Sequence, residues 1–378
     1  MNGTVRFLGA ALAPLLLTSA FAPTATAAPA SWAPAPVPAM SGDNGLWDTA
    51  ALGAREVWTV GVRDLPADPP VGGPEGMPFS ARWDGAKWTS HPVPGKGGLT
   101  RMHARTATDV WAVHGGLGNS KAPDVLRWNG TRWTSLPVVK EATRSWLHSV
   151  YAVSATDVWA VGEVATDDKG GSRPAAQHWD GRKWTVVAVP RTGATSESLQ
   201  SVHGSGPKDL WAVGSTSHAD SSGNQDGVRP FTLHWDGTRW SRVTLPTSAQ
   251  GALTGVYARG ASDVVTTGWN MEFGGGGSPF TAVSYRWNGR SWSAVEVGDK
   301  AGALLFYLNG NDKGLWASGY RDGKHFVAEW AGTSWRSVST GLTKSGELGG
   351  VSAAPGSTEL WTVGFDSATE RAVVYRRK

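Results

Sequence analysis

Carboxylates recur along this chain of 378 residues at positions where acids could take part in general acid–base catalysis. They stand just before a short apolar segment that usually carries Trp: Glu56, Asp109, Asp157, Asp209, Asp263 and Glu359. An acid that returns in repeat after repeat favours a structural role, here as an acceptor for N–H groups of the preceding turn. We therefore assign no catalytic residue to this set, from which one copy departs by having Gly314 before Leu315-Trp316.

A second set of side chains that could bind a ligand does not recur from repeat to repeat. Trp47, Trp146 and Trp269 match none of the repeating Trp positions, while Arg101 and Tyr257 fall on strands expected to line a channel. Aromatic rings beside polar groups are typical of sugar-binding or peptide-binding sites. These five residues are the predicted ligand-binding set. The alternative is that the three Trp side chains only pack loops.

His and carboxylate side chains on the same strands raise the question of a metal ion. His103 and His203 occupy the same position in the second and fourth repeats, and Asp48 lies on the corresponding strand of the first. These side chains are ligand types for zinc and other transition metals. The two histidines are not on adjacent repeats, so they could share a metal only across a channel. They remain weak candidates, and no metal or other cofactor is predicted.

The elements that position these residues are copies of one repeat. Its signature, Trp-Ala-Val-Gly or a variant, begins at seven places: Trp58, Trp111, Trp159, Trp211, Val265, Trp316 and Trp361. A Leu stands 12 residues upstream, or 13 in the last copy: Leu46, Leu99, Leu147, Leu199, Leu253, Leu304 and Leu348. A period of 44 to 54 residues is in the range of propeller blades.

Each repeat is predicted to fold as four short antiparallel strands, named A to D from the channel outward. Strand A begins at the Leu, strand B holds the signature, strand C ends in a second Trp and strand D begins with a third. Asn-Gly or Asp-Gly between C and D predicts a tight hairpin with positive φ angles. Nineteen of the 22 Trp residues fall on these recurring positions. They are predicted to pack neighbouring repeats together, with their indole N–H groups bonded to backbone carbonyls.

The seventh repeat lacks its outer strand, and the missing segment lies at the other end of the chain. Residues 32–38 match residues 88–94 in the spacing of Trp and of the terminal Pro-Val-Pro. We therefore predict that residues 32–38 form the outer strand of the last repeat and close the ring. The predicted fold is all-β, a seven-bladed β-propeller of four-stranded antiparallel blades starting near residues 46, 99, 147, 199, 253, 304 and 348.

On these motifs the chain resembles kelch or galactose-oxidase-type seven-bladed propellers, of a kind found in secreted actinobacterial proteins. Its Asp-Gly-x-x-Trp turns resemble the Asp box of sialidase-type propellers, whereas the Gly-Gly doublet expected in each kelch repeat does not recur from unit to unit. The resemblance implies the propeller fold. Galactose-oxidase chemistry as that family performs it requires a Tyr–Cys crosslink, and this chain has no Cys.

The first residues have the composition of a targeting segment. Arg6 precedes an apolar run at residues 7–22, and a small-residue cleavage site ends at Ala27, with Ala30 as the alternative. We predict a signal peptide at residues 1–27, one propeller domain at 28–378 and a secreted protein. The mature chain has no further apolar stretch that could span a bilayer. The net charge of +4 is spread without a basic run, so nucleic acid is not a predicted partner.

Two classes of function stay open. The favoured one is a non-catalytic extracellular binding or scaffold protein, monomeric, with an unknown glycan or protein ligand on the face formed by the B–C and D–A loops. The alternative is a carbohydrate-binding lectin or a carbohydrate-active, lyase-type propeller enzyme. Because function resides in the loops of such a fold rather than in the fold itself, the repeat does not choose between them.

Overall fold

The computed structural model describes residues 32–66, 76–115, 124–142, 144–166, 171–219, 225–271, 280–338 and 345–378. The predicted signal peptide at residues 1–27, and residues 28–31 at the start of the predicted domain, lie outside these ranges. Every regular element within them is a β-strand. Over the same ranges, no helix is long and apolar enough to cross a membrane.

The strands form seven four-stranded antiparallel sheets, which confirms the predicted propeller. In blades 1 to 3 the strands, from the channel outward, are β2 (Asp43–Gly53), β3 (Glu56–Leu65), β4 (Met77–Trp83) and β5 (Trp88–Ser90); β6 (Gly98–Thr106), β7 (Asp109–Gly115), β8 (Asp124–Trp128) and β9 (Trp133–Pro137); β10 (Ser145–Ser154), β11 (Asp157–Ala165), β12 (Ser172–Trp179) and β13 (Trp184–Val187).

Blades 4 to 6 follow the same order. Their strands are β14 (Ser196–Gly206), β15 (Asp209–Ala219), β16 (Gln225–Trp235) and β17 (Trp240–Val243); β18 (Gln250–Gly260), β19 (Asp263–Met271), β20 (Phe280–Trp287) and β21 (Trp292–Val295); β22 (Ala303–Gly310), β23 (Leu315–Arg321), β24 (Lys324–Trp330) and β25 (Trp335–Val338).

Blade 7 joins the two ends of the chain. Its strands are β26 (Gly346–Ala353), β27 (Leu360–Asp366), β28 (Arg371–Arg377) and, outermost, β1 (Trp32–Pro34). Trp32 pairs with Arg377 and Pro34 with Tyr375, so the predicted closure is confirmed. Regular pairing covers only three residues of the predicted 32–38, and the chain then leaves the sheet after one more hydrogen bond, from Ala35 N–H to the Val374 carbonyl.

The recurring Trp side chains pack one blade against the next, as predicted. Trp111 on strand B of blade 2 meets Trp184 of blade 3 edge to face, with ring centroids 6.4 Å apart. The same contact closes the ring, where Trp361 of blade 7 meets Trp88 of blade 1 at 6.1 Å. Edge-to-face pairs add to the free energy of burying these large rings. The Trp positions therefore hold the blades together rather than forming a site.

A β-bulge follows the Leu of each innermost strand and explains the Gly of the signature. In blade 3 the register shifts between Leu147 and Ser149, and a Cβ added to Gly162 would overlap the Trp146 carbonyl oxygen. Glycine permits this approach of two backbones in six blades, while blade 2 carries His114 at the same position. In blade 6 the Leu that pairs with Gly319 is Leu305, not Leu304, because the segment between the Leu and the Gly is one residue shorter there.

The hairpins between strands C and D behave as Asx turns. In blade 1 the Asp84 carboxylate accepts hydrogen bonds from the N–H groups of Ala86 and Lys87, both at 2.8 Å, and Gly85 has φ 99°. Of the two residues of the dipeptide, the glycine supplies the predicted positive φ angle and Asp84 does not. The acidic or amide side chain instead satisfies two backbone donors of the turn.

Candidate functional site

The recurring acids are structural, though not in the way predicted. In blade 2 the Asp109 carboxylate accepts a hydrogen bond from the Trp111 indole N–H at 3.0 Å and another from Arg127 at 2.9 Å. In blade 3 Asp157 is paired in the same way with Trp159 at 3.1 Å and with His178 at 2.9 Å. The acceptor role is confirmed, but the donors are a Trp and a basic side chain of strand C rather than turn amides. This also corrects the prediction that these indoles bond to carbonyls.

Blade 6 reverses this charge pattern. Where blades 1 to 5 place Arg or His before the Trp that ends strand C, blade 6 has Glu329, and Gly314 replaces the acid before strand B. Glu329 pairs with Arg336 within blade 6 at 3.0 Å and, across the blade junction, with Arg377 at 3.4 Å. The reversal thus ties blade 6 to the closing blade.

A central cavity of about 230 Å³ is surrounded by the innermost strands. Arg101 reaches across it from blade 2 to blade 6, where it donates a hydrogen bond to the Phe306 carbonyl at 2.7 Å. Its guanidinium lies 3.5 Å from the centroid of the Tyr307 ring. A cation held over an aromatic face and bonded to a carbonyl braces the channel.

Four aromatic side chains form a continuous arc around this channel. They are His103, Tyr151, His203 and Tyr257, all at the same register position, opposite the first residue of the signature. Successive ring centroids lie 4.7, 4.5 and 4.2 Å apart. Of the predicted ligand-binding set, Tyr257 thus belongs to the channel, as Arg101 does.

The arc joins blades whose innermost strands do not pair with each other. His103 Nδ1 accepts the Ala152 N–H at 3.1 Å, and His203 Nδ1 accepts the Ala258 N–H at 3.1 Å. Tyr151 donates to the Gly204 carbonyl at 2.6 Å. Each bond runs from one blade to the next. These side chains satisfy backbone groups that the ring geometry leaves without strand partners.

Burial keeps both histidines neutral. It lowers the pKa of His103 to about 4 and that of His203 to about 3, and Arg105 acts in the same direction on His103. A neutral ring is required at Nδ1, which must carry a lone pair to accept a backbone N–H. In the described part of the chain, no group of three His, Asp or Glu side chains is arranged to hold a metal ion.

The carboxylate of Asp48, the third weak metal candidate, is also hydrogen-bonded to backbone N–H groups. Its carboxylate accepts the Thr49 N–H at 2.8 Å and the Met102 N–H of blade 2 at 2.9 Å. Burial raises the pKa of Asp48 to about 6 against the opposing effects of Arg101 and these two hydrogen bonds. The side chain therefore acts as another link between adjacent innermost strands.

The three non-recurring Trp side chains all lie at the B–C and D–A end of the propeller, but on blades 1, 3 and 5. Trp47 occupies the bulge after Leu46, Trp146 precedes Leu147, and Trp269 follows the signature Gly of blade 5. All three are half-buried. The structure thus places them on one face without bringing them into one pocket.

Aromatic side chains are concentrated on one half of this face. They occupy the bulge position or the position after the signature Gly in blades 5, 6, 7 and 1, and all are half-buried: Trp269, Phe306, Tyr320, Phe365 and Trp47. Phe306 and Tyr320 are in contact, with centroids 5.8 Å apart. We call these five residues the aromatic band.

The opposite half of the face is polar. In blade 3 the same two positions hold His148 and Glu163, whose Nε2 and Oε1 atoms lie 3.8 Å apart, and Glu163 accepts a hydrogen bond from Ser172 at 3.0 Å. Burial acts to raise the pKa of Glu163, but its bonds to His148 and Ser172 hold it below its ordinary value. Trp146 stands opposite Glu163 in the pairing of strands A and B, on this polar half.

Sequence reasoning missed three members of the aromatic band: Phe306, Tyr320 and Phe365. A signal for two of them was present, because aligning the repeats on the Gly shows Trp269, Tyr320 and Phe365 at one position in three consecutive blades, where earlier blades have Val, Gly, Glu and Ser. Phe306 was missed because the β-bulge decides which residue after the Leu faces outward, and the spacing of the repeats does not show where a bulge lies.

Known proteins resemble this chain in fold. No protein-family model matches it, and no curated protein matches it. Among solved structures, YCF48 from Cyanidioschyzon merolae has 15% identity and a TM-score of 0.55, with 92% of this chain and 98% of that chain covered. A YCF48 bound to D1 peptide has 12% identity and a TM-score of 0.55, covering 93% and 95%.

A polysaccharide lyase of family PL25, an ulvan lyase, is also similar, with 12% identity, a TM-score of 0.55 and coverage of 88% and 94%. At these identities the likeness establishes the fold alone. The neighbours are YCF48 and ulvan lyase propellers rather than kelch or galactose-oxidase propellers. The seven-bladed part of the predicted resemblance is therefore confirmed, and its kelch part is not supported.

Proposed function

We propose that this chain is a secreted, non-catalytic β-propeller that binds an extracellular ligand through the aromatic band on its B–C and D–A face. The observation that carries the proposal is the asymmetry of this face. Half-buried aromatic side chains are gathered on blades 5, 6, 7 and 1, whereas blades 2 to 4 carry Thr, His, Gln, Gly, Glu and Ser at the same two positions.

The channel supports a structural rather than a catalytic interpretation. His103 and His203 each use Nδ1 as an acceptor for a neighbouring blade, and Asp48 accepts two backbone N–H groups. A general base needs a lone pair directed at its substrate. The lone pairs that these side chains direct at the protein hold adjacent strands together.

The aromatic band has the physical character of a recognition surface. Large rigid rings bury much area on contact and lose few side-chain rotamers, which is why aromatic residues dominate the energetics of binding sites. Two proteins similar in fold have been solved with a ligand, a YCF48 with D1 peptide and an ulvan lyase with a glycan. Both a peptide and a glycan are therefore candidate ligand classes.

The proposal is tested by following the melting temperature with oligosaccharides, peptides and divalent metal ions, because a ligand of the folded state raises it. Trp47→Ala and Trp269→Ala should abolish the shift, and Val186→Ala, at an outer-strand position that is 42% exposed, should keep it. A sugar shift lost in Trp269→Ala would identify a lectin. A metal-dependent shift lost in His103→Ala would instead favour a lyase-type enzyme and contradict the proposal.

Secretion is proposed from the N-terminal sequence. The apolar run, the preceding Arg6 and the small residues ending at Ala27 have the order of a cleavable signal. Expression in a secreting host followed by N-terminal sequencing of the medium fraction should find residue 28 first, or residue 31 if cleavage follows Ala30. Retention of the intact chain inside the cell would contradict it.

A further inference from the structure

A small pocket opens within the aromatic band between blades 7 and 1. Its volume is about 210 Å³. The lining residues are Gly45, Trp47, Leu65, Glu347, Gly349 and Phe365. Two aromatic rings, one aliphatic side chain and two glycines thus make the walls, with a single carboxylate among them.

Two glycines seat the Trp47 ring. A Cβ added to Gly45 would come within 3.7 Å of the indole nitrogen and 3.6 Å of the Phe365 ring, so both rings converge over this residue. A Cβ added to Gly98 in blade 2 would overlap the other edge of the Trp47 ring. Both glycines directly precede a Leu, where blades 3 to 7 carry Trp, Ser, Ala, Leu and Glu. The ring is therefore held in place before any ligand arrives.

Glu347 supplies a negative charge at the mouth of the pocket. It pairs with Phe365 across strands A and B of blade 7, and its side chain is exposed. Burial of its carboxylate nevertheless raises the pKa of Glu347, and Arg101, which opposes this effect, is engaged in the channel by the Phe306 carbonyl and the Tyr307 ring. No described residue forms an ion pair with Glu347.

We propose that this pocket binds a quaternary ammonium group. The negative faces of Trp and Phe rings attract a cation, and a carboxylate beside them adds a directed attraction. A primary ammonium has three N–H donors, and the apolar walls would leave most of them without acceptors. A quaternary ammonium has no N–H group and presents only methyl surface to the rings. The inference rests on the proposed binding role of the aromatic band and names the chemistry of its ligand.

The same group occurs in free choline-type compounds and in phosphatidylcholine headgroups, so the test has an arm for each. In the first, Trp fluorescence or calorimetry measures choline, its neutral isostere 3,3-dimethylbutan-1-ol and the primary amine ethanolamine. Choline should bind about 5-fold to 30-fold more tightly than the neutral isostere. In the second, sedimentation compares vesicles of phosphatidylcholine with vesicles of phosphatidylglycerol.

Substitutions locate the binding. Gly45→Leu should fill the pocket and abolish choline binding, since the Gly45 backbone does not have positive φ and contacts there are of ordinary length. Gly260→Leu is the matched control at the opposite end of the propeller, where an added Cβ meets nothing within 4 Å. Glu347→Gln should weaken binding about 3-fold at low salt and reduce its salt dependence. Melting temperatures of all variants establish that they are folded.

The outcomes separate this inference from the proposed function. Binding of choline or of phosphatidylcholine vesicles that is lost in Gly45→Leu and kept in Gly260→Leu supports it and identifies the source. Equal affinity for choline and its neutral isostere overturns it. The inference is also overturned if choline does not bind but a peptide or glycan binds the parent protein and loses affinity in Trp47→Ala. In that case the proposed function stands. If no ligand of either panel binds, both are refuted.

Discussion

Replacing His203 with Asn should remove much of the acid sensitivity of this propeller. Burial lowers the pKa of His203 to about 3 and that of His103 to about 4, from an ordinary value of 6.5. Because the folded state binds the proton less readily than the unfolded chain, the stability linked to each histidine is present above pH 6.5. It is lost as the pH falls toward the folded-state pKa.

The size of the effect follows from the shifts. At about pH 5 an unfolded His is protonated while the buried rings are still neutral, which costs about 2 kcal/mol per His relative to about pH 8, or about 4 kcal/mol for both. Asp48 acts in the opposite direction, because its pKa is raised to about 6 and its penalty is relieved as it protonates. That relief is about 1 kcal/mol at the same pH, so these three groups together lower the free energy of unfolding by about 3 kcal/mol.

Urea unfolding at about pH 8 and about pH 5 measures this difference. Asn can keep an acceptor oxygen near the position of Nδ1 without titrating, and Asn309 already occupies the same register position in blade 6. His203→Asn should therefore recover about 2 kcal/mol of the loss at low pH. His218→Asn, at an exposed position, should leave the loss as in the parent protein. An unchanged pH dependence in His203→Asn would refute the proposed role of the arc.

Three further changes test the fold. Trp159→Ala removes a side chain that is 2% exposed and should lower the free energy of unfolding by about 3–5 kcal/mol in denaturant titrations; an unchanged value would contradict its packing role. Gly162→Ala drives a Cβ into the Trp146 carbonyl oxygen and should lower the melting temperature clearly, whereas Gly206→Ala, with no atom within 4 Å of the added Cβ, should not. Removing residues 32–38 leaves strand β28 without its outer partner, and a deletion variant as stable as the parent would contradict the closure.

Much of the fold was readable from the period of the chain. The Leu, the Trp signature and the Asp-Gly turns recur with near-constant spacing, so the number of blades and the four-strand pattern follow from counting copies. The outer strand at Trp32 was found in the same way, because a segment without a copy of its own matched the piece that the last repeat lacked. In blade 6 the spacing differs by one residue. Counting there selects Leu304 as the Leu that pairs with the signature Gly, whereas the hydrogen-bond register shows that it is Leu305.

The candidate site was less accessible from the sequence. Residues that break the repeat were recognisable as exceptions, and Trp47 and Trp269 do lie on the face expected to bind a ligand. Their neighbours were not predictable, since Trp47 meets Phe365 and Glu347 only because blades 1 and 7 are joined by closure of the ring. Contacts between residues some 300 positions apart depend on tertiary structure, which no local spacing encodes.

The polar residues of the innermost strand show where the division falls. By itself, the sequence determined that His103, Tyr151, His203 and Tyr257 share one strand position, because that follows from the repeat. Only the tertiary structure decided what they do there. Innermost strands of neighbouring blades lie side by side without pairing, so their buried backbone groups need side-chain partners. These four residues provide them across the four gaps from blade 2 to blade 6. Closure of the ring also brings blades 7 and 1 side by side, and this places the members of the aromatic band next to one another on the B–C and D–A face.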